Sequence, residues 1–142
     1  MIDRFDGEYR WLSNFWPSPV LLDGLLYPTV EHAYQAAKTV LPNERTLIGS
    51  LATPGQAKRA GRKVTMRPDW EGMKIDIMTR LVEKKFLYHD ALRIKLILTG
   101  DEKLVEGNTW GDRFWGTVDG EGENHLGKIL MEVRSELKET YA

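Results

Sequence analysis

Apolar side chains recur every three or four residues along two long stretches of the chain, and this spacing predicts two amphipathic helices. They cover residues 68–89 and 124–139. The apolar positions are Trp70, Met73, Ile77, Met78, Leu81, Val82 and Phe86 in the first, and Leu126, Ile129, Leu130, Val133 and Leu137 in the second. We expect these faces to pack into a core and the charged faces to contact solvent.

The amino-terminal part of the chain predicts a β-hairpin followed by a helix. Two short apolar runs flank Asp23-Gly24, a dipeptide that tolerates the positive φ angles of a tight hairpin turn. The Ala-rich segment of residues 29–38 then has high helix propensity. Thr29 is its candidate N-cap, and Glu31 lies in its first turn, where the helix dipole favours an acid.

Further elements are predicted from their end signals. Residues 43–52, 53–62 and 90–100 are predicted helices, and residues 104–106 are a predicted short strand. Thr53 and Gln56 have capping-box spacing, while Asp90 and Gly100 are the candidate cap and terminator of the third helix. Because no strand–helix–strand unit repeats, the predicted class is α+β. We expect a single compact, mainly helical domain over residues 1–142, with a small β component near the amino terminus.

Composition narrows the classes of function. The chain has 142 residues, of which 20 are basic and 21 acidic, and the net charge of −1 argues against a large footprint on duplex DNA. It has no cysteine, which excludes disulfides, thiolate metal sites and a thiol nucleophile. No apolar run reaches the roughly 20 residues of a membrane span, and the amino terminus does not resemble a secretory signal. We therefore expect a cytoplasmic protein with no membrane partner.

The segment "NTWGDRFWGTVDGEGENHLG", residues 108–127, has no apolar periodicity and combines tryptophans with glycines and hydrogen-bonding side chains. Aromatic faces beside polar groups suit a heterocyclic ring, which stacks while its edge is hydrogen-bonded. Trp115 is the preferred stacking residue. The structural alternative is that the aromatic residues belong to the core, and Trp70, on a helical stripe, is assigned there. Two other clusters share this character, residues 10–19 and residues 31–38.

Glu31 and Asp112 are the candidate catalytic acids. A carboxylate can stabilise the cation that forms when a group leaves an anomeric carbon, orient water, or protonate the leaving atom. The structural alternatives are a favourable first-turn charge for Glu31 and a turn-forming side chain for Asp112. His32 is interpreted as structural, because no second histidine or acid stands at metal-ligand spacing. No metal and no cofactor are expected.

Anion-binding candidates lie in two places. The glycine-rich loop that leads into the last helix is a plausible anion site, although Asn124 has the alternative role of capping that helix. A basic segment contains Lys58, Arg59, Arg62, Lys63 and Arg67. Such a segment either forms a solvated face or contacts phosphate, and Arg62 and Arg67 are preferred for phosphate because guanidinium groups bind it in a bidentate way.

Together these segments resemble the NADAR (YbiA-like) family. The matching pieces, in the family's order, are "WLSNFWPSPV", "YPTVEHAYQAAK", "AKRAGR", "RPDWEGMK", "MTRLVEKKF", "LILTG", "LVEGNTWGDRFWG" and "GENHLGKILMEVR", which span residues 10–134. The resemblance implies a mainly helical α+β domain that acts on phosphorylated ribosyl compounds as an N-glycosidase. One branch of the family splits riboflavin-pathway intermediates, and another removes ADP-ribose from guanine bases in nucleic acid.

The resemblance also implies a set of site residues. Glu31 and Asp112 would be catalytic, in roles that can be exchanged. The substrate-binding positions would be Trp11, Asn14 and Phe15 around the base, Lys38, Arg62 and Lys128 at phosphate or ribose, and Tyr34, Trp115, Gly116 and Asn124 elsewhere in the site. We expect one cleft formed by the 108–127 segment and the helix that carries Glu31. The partner would be a nucleotide-like small molecule or an ADP-ribosylated base, and the oligomeric state stays open.

Two rival classes use the same residues. A non-catalytic module that binds ADP-ribose or NAD would need the stacking and phosphate groups but not Glu31. A structural or interaction domain would use the loop residues only to close its core, and no nucleotide would then stabilise it.

Overall fold

The architecture is given by a computed structural model that describes residues 1–141. Among these residues it contains seven helices and two strands. They are a 3-10 helix at Gly7–Leu12, β1 at Val20–Leu22, β2 at Leu25–Tyr27, α1 at Val30–Ala37, α2 at Pro42–Ser50, α3 at Pro54–Ala60, α4 at Trp70–Leu87, α5 at Asp90–Leu98 and α6 at His125–Tyr141. The predicted α+β class, mainly helical with a small β component near the amino terminus, is confirmed.

The chain forms two compact units. Unit I comprises Met1–Ser13 and Phe86–Ala142, and unit II comprises Asn14–Lys85. Unit I contains the 3-10 helix, α5, α6 and the long loop between these last two helices. Unit II contains the hairpin, α1, α2, α3 and most of α4. The single domain expected over residues 1–142 stays a prediction.

The hairpin of unit II is the one that the sequence predicts. β1 and β2 pair antiparallel, with Val20 opposite Tyr27 and Leu22 opposite Leu25. The turn residues Asp23 and Gly24 have φ angles of 47° and 82°, as a type I′ turn requires. Both strands contact α1.

Helix α1 is the core element of unit II, since all eight of its residues are buried. Thr29 caps it as predicted, and its hydroxyl accepts a hydrogen bond from the His32 backbone N–H at 3.1 Å. The helix contacts α2, α3 and both strands. Its three alanines are small enough to let these neighbours approach closely.

The predicted capping box of α3 is also present. The Thr53 hydroxyl accepts from the Gln56 backbone N–H at 3.1 Å, and the Gln56 side chain accepts from the Thr53 backbone N–H at 3.1 Å. Helix α4 buries most of its predicted apolar face, including Trp70 and Phe86, although Met73 is only half-buried. No helix within residues 1–141 has the length and apolar character to cross a membrane.

In unit I, one predicted cap and one predicted strand are wrong. Asp90 is the first residue of α5 instead of its cap: His89 holds the N-cap position, and the Asp90 carboxylate pairs with Arg93 at 3.0 Å. Leu104 makes one parallel bridge with Ile2, and the pairing does not extend into a strand over residues 104–106. Gly100 ends α5 with a φ of 66°, and the apolar face of α6 is buried, both as predicted.

Candidate functional site

Glu31 lies in the first turn of α1, in unit II, and its side chain is buried. Its Oε1 atom accepts a hydrogen bond from Gln35 Nε2 at 2.8 Å, and its backbone N–H donates to the Asn14 carbonyl at 3.1 Å. A carboxylate that served only the helix dipole would gain nothing from burial, because removing a charge from water is costly. A buried acid held by a neighbouring amide is compatible with a catalytic role.

Lys38 lies near Glu31, and further basic side chains act on Lys38. Lys38 follows α1 and is half-buried, and burial lowers its pKa. Nearby Glu31 raises this pKa, while the charges of Arg62, Lys74 and Lys58 lower it further. Several positive groups therefore act on one position of unit II, and such a cluster favours a bound phosphate.

Arg67, one of the two arginines preferred for phosphate, is engaged within the protein. Its guanidinium pairs with Asp69 at 2.7 Å and donates to the Ala37 carbonyl at 3.5 Å. Its backbone N–H donates to the Lys38 carbonyl at 2.7 Å. Arg67 thus ties its loop to the end of α1, whereas Arg62 is exposed. Of the two arginines, Arg62 is therefore the better candidate for a phosphate ligand.

The aromatic candidates of unit II differ in exposure. Tyr34 is buried with its ring 5.2 Å from Trp70, so both belong to the core, as predicted for Trp70. Phe15 is 43% exposed. Asn14 donates through its side chain to Met78 Sδ at 3.5 Å. Of the two predicted base-lining aromatic residues, Phe15 has the more exposed ring.

In unit I, Asp112 forms a turn. Its Oδ1 atom accepts from the backbone N–H groups of Phe114 at 3.0 Å and Trp115 at 2.9 Å. The Asn108 side chain holds the same loop, because it donates to the Asp112 carbonyl at 2.9 Å and accepts from the Asp112 N–H at 3.1 Å. The turn-forming alternative is therefore present, and the second carboxylate oxygen, Oδ2, takes no part in these two bonds.

Trp115 is partly exposed. Its ring packs edge-to-face on Phe114 at 4.8 Å and lies 6.3 Å from His125. Gly116 next to it is required by packing, since a methyl group there would lie 2.9 Å from the Asn108 amide nitrogen and would overlap Glu106. The backbone around Trp115 is thus rigidly supported.

Asn124 connects two parts of the loop. Its Oδ1 atom accepts from the Glu106 N–H at 2.9 Å, and its Nδ2 atom donates to the Leu104 carbonyl at 3.0 Å. Its φ of 52° is left-handed, a conformation that asparagine tolerates. Asn124 directly precedes α6 and its carbonyl accepts from the Lys128 N–H at 3.0 Å, so it holds the cap position of that helix, while its side chain binds residues 104 and 106. Its substrate-binding role stays a prediction that competes with these side-chain bonds.

Trp11 is a core residue. It is 6% exposed, and its ring packs edge-to-face on Phe86 at 6.3 Å, with Lys95 Nζ 5.8 Å from the ring centre. The predicted role of Trp11 as a base-lining residue is therefore corrected: this indole stabilises unit I and offers little surface for stacking.

A cavity of about 570 Å³ lies in unit I, next to the start of α6. Asn124 and Lys128 line it together with Trp110, which is 62% exposed, whereas Asp112 and Trp115 do not. Its charged lining consists of the amino terminus of Met1, Arg4, Lys103, Lys128, Asp3, Asp6, Asp119 and Glu123. The four acids balance the four cations, so the lining has no net positive charge to attract phosphate. The phosphate candidates of unit II are better placed.

His32 is structural, as predicted. It is fully buried; its Nε2 lies 2.9 Å from the Leu51 carbonyl and its Nδ1 lies 2.8 Å from the Thr29 hydroxyl. The carbonyl only accepts, so Nε2 carries the proton and Nδ1 accepts from Thr29. Within residues 1–141 no three histidine or acidic side chains are grouped closely enough to hold a metal ion.

Two polar residues of unit II were not predicted as site residues. Gln35 is 4% exposed and binds Glu31. Lys85 is fully buried, and burial lowers its pKa to about 7. The sequence signal for Lys85 is its position four residues after Leu81, on the apolar face of α4. A buried group with a shifted pKa is a candidate for function.

The fold and these residues define a member of the NADAR family: the NADAR domain profile matches residues 3–138, and the chain belongs to that family. The N-glycosidase Npun_R5314 of Nostoc punctiforme is 44% identical over 136 residues, 92% of this chain and 86% of that protein. N-glycosidase YbiA of Escherichia coli is 38% identical over 133 residues, 92% of this chain and 82% of that protein. The NMR structure of E. coli YbiA matches with a TM-score of 0.84 and 36% identity, over 99% of this chain and 88% of that one.

A third relative is longer. Riboflavin biosynthesis protein VVA0006 of Vibrio vulnificus is 39% identical over 139 residues, which are 94% of this chain but 37% of that protein. The family resemblance that the sequence motifs indicated is therefore confirmed over nearly the whole chain.

Proposed function

We propose that this protein is an N-glycosidase that hydrolyses the C–N bond between ribose and base in a phosphorylated ribosyl compound. The observation that carries the proposal is Glu31, a buried carboxylate held by an amide, with cations acting on the same helix at Lys38. The predicted enzyme class is confirmed by the names of the relatives: the proteins from Nostoc punctiforme and Escherichia coli are both N-glycosidases.

The reaction breaks the bond from C1′ of ribose to the base nitrogen and forms a bond from C1′ to the oxygen of water. One proton of that water is released and one proton is taken up by the leaving base. Glu31 stabilises the positive charge that develops at C1′, or accepts the proton of the attacking water. Lys38 and Arg62 bind the phosphate and so fix the position of the ribose.

The remaining candidates belong to unit I, and their roles are proposed on chemical grounds. Asp112 would hold the ribose hydroxyls or the leaving base through Oδ2, because Oδ1 is used in its turn. Trp115, on its supported loop, would stack on the base. The roles of the two acids can be exchanged. Since the family profile spans both units, we also propose that residues 1–142 act as one domain.

Two substrate classes fit this chemistry. The first is a phosphoribosylamino-pyrimidine, which the family resemblance implies, and the Vibrio vulnificus relative is named a riboflavin biosynthesis protein. An ADP-ribosylated guanine offers the same base, ribose and phosphate, and a flipped or single-stranded base can enter an active-site pocket. Both compounds are consistent with the cytoplasmic location predicted from the sequence.

The test uses chromatography to detect free base released from a panel of N-ribosylated compounds, with and without phosphate. We expect Glu31→Gln to lower kcat by about a hundredfold or more, because the charge is removed while the shape is kept. Asp112→Asn keeps the turn acceptor, so a loss of activity with an unchanged melting temperature would assign a chemical role to that carboxylate. The matched control is the exposed Glu121→Gln.

The outcomes separate the rival classes. Full activity of Glu31→Gln would remove that residue from the mechanism. Binding of ADP-ribose without release of base from any compound would identify a binding module and would overturn the enzyme.

A further inference from the structure

Gln35 is one turn beyond Glu31 on α1, and both of its amide atoms are unusual. The nitrogen donates to Glu31 Oε1 at 2.8 Å. The oxygen is buried and accepts no hydrogen bond from any group within residues 1–141. Leaving a buried acceptor unpaired lowers stability, so such an atom in a native protein calls for an explanation.

The orientation of the amide explains the unpaired oxygen. The opposite orientation would turn the amide oxygen toward the carboxylate, where two acceptors repel each other, so the nitrogen is assigned to the Glu31 side. With the nitrogen on Glu31, the oxygen points away from it toward the end of α3. The amide is therefore oriented by the acid.

Gly61 closes this arrangement from the other side. A methyl group at position 61 would lie 2.7 Å from Gln35 Cδ and would overlap the amide oxygen. Gly61 has a φ of −61°, which any residue can adopt, so backbone conformation does not demand glycine here. The requirement is space for the Gln35 side chain.

We propose that Gln35 is a positioning residue for the reaction: its amide, confined against Gly61, holds the Glu31 carboxylate in the orientation that catalysis needs. The hydrogen bond selects one side-chain conformation of Glu31 and stabilises its charged form. The unpaired oxygen is a cost in stability that this positioning imposes. This inference rests on the proposed function of Glu31.

The first test is Gln35→Met, which keeps the length of the side chain and removes the donor. The free energy of a hydrogen bond to a charged group corresponds to a factor of about 10 to 100. If this bond orients the carboxylate in the transition state, kcat should fall by roughly that factor, with KM changed less than about threefold. The acidic limb of the kcat/KM profile should move to higher pH, because the charged carboxylate has lost a donor. A residue that only filled space would leave that limb unchanged.

The second test displaces the Gln35 amide by a substitution at a neighbouring position. Gly61→Ala adds the methyl group that displaces the amide, and we expect it to reproduce the loss of kcat and the shift of the pH profile. Gly72→Ala is the matched control, since position 72 lies in the first turn of α4 and has no neighbour within 4 Å of an added methyl group. The control should keep wild-type kcat and gain stability, as alanine does in a helix.

A double-mutant cycle separates this inference from the proposed function. If Gln35 acts through Glu31, then Gln35→Met lowers kcat in the wild type and has no further effect in the Glu31→Gln background. Additive losses, or an active Gln35→Met enzyme beside an inactive Glu31→Gln enzyme, would overturn the positioning role alone. Wild-type activity of Glu31→Gln would instead overturn the assignment of Glu31. Urea unfolding of the four proteins shows that each is folded and measures the coupling of the pair independently of activity.

Discussion

At the scale of single residues, polar groups that sequence reasoning treats alike are used in different ways. Asn124 was expected to bind substrate or cap a helix, yet its side chain binds two backbone groups of the loop. Glu31 and Gln35 are adjacent on one helical face and bind each other inside unit II. All three side chains are buried, so the difference lies in which groups the fold places beside each of them, and the sequence does not specify those neighbours.

Lys85 provides a prediction at this scale. Its pKa is about 7 in the folded protein, against 10.5 as the ordinary value for lysine. Between these values the unfolded chain binds more protons at this group, so its contribution to the free energy of unfolding rises with pH, by up to about 1.4 kcal/mol per pH unit. Below pH 7 both states are protonated, and the cost of the buried charge is constant.

We therefore expect Lys85→Met to be more stable than the wild type, with an advantage that grows as the pH is lowered from 9.5 to 7 and then levels off. Urea unfolding at half-unit pH steps measures it. The exposed Lys63→Met is the control and should show no such trend. A difference between Lys85→Met and the wild type that does not vary with pH would contradict the depressed pKa of Lys85.

At the scale of elements, the ends of the helices were predicted most directly, because a cap is a local hydrogen bond between residues close in sequence. Thr29, Thr53 and Gly100 all have their predicted roles. Asp90 does not, because it lies one position inside α5 and pairs with Arg93. Helix boundaries that differ by one residue change a cap into a first-turn charge.

Thr29 gives the prediction for an element. Its hydroxyl serves both the His32 backbone N–H and His32 Nδ1, within the buried start of α1. Thr29→Val keeps the shape but removes both bonds, so we expect a loss of about 2 kcal/mol in the free energy of unfolding. Thr29→Ser keeps the hydroxyl and should lose about 1 kcal/mol, from the missing methyl group. Wild-type stability of Thr29→Val in urea unfolding would show that the cap contributes nothing.

At the scale of the whole molecule, the net charge of −1 conceals uneven local charge. The positive groups that act on Lys38 form a phosphate-binding candidate in unit II, while acids and cations balance around the cavity of unit I. Composition argues against a large basic surface but cannot locate a small one.

This distribution leads to a prediction for the folded chain as a whole. A ligand that binds only the folded state adds about 2.7 kcal/mol at a hundred times its dissociation constant. For a domain of this size, saturating ribose 5-phosphate should then raise the melting temperature by roughly 8 °C, whereas ribose without phosphate should not at the same concentration. The shift should shrink in Lys38→Met and at high salt, because charge attracts the phosphate. No shift with any phosphorylated ribosyl compound would favour the structural class of domain.

The sequence by itself determined the hairpin, the six α-helices, most of their caps, the apolar faces of α4 and α6, and the family, because these depend on local hydrogen bonds, periodicity and ordered motifs. Only the tertiary structure decided that Trp11 and Tyr34 are buried, that Arg67 is paired with Asp69, and that Gln35 fills the space left by Gly61. Those outcomes depend on contacts between residues distant in the chain, and burial, which gives a polar side chain its function or its cost, arises only from such contacts.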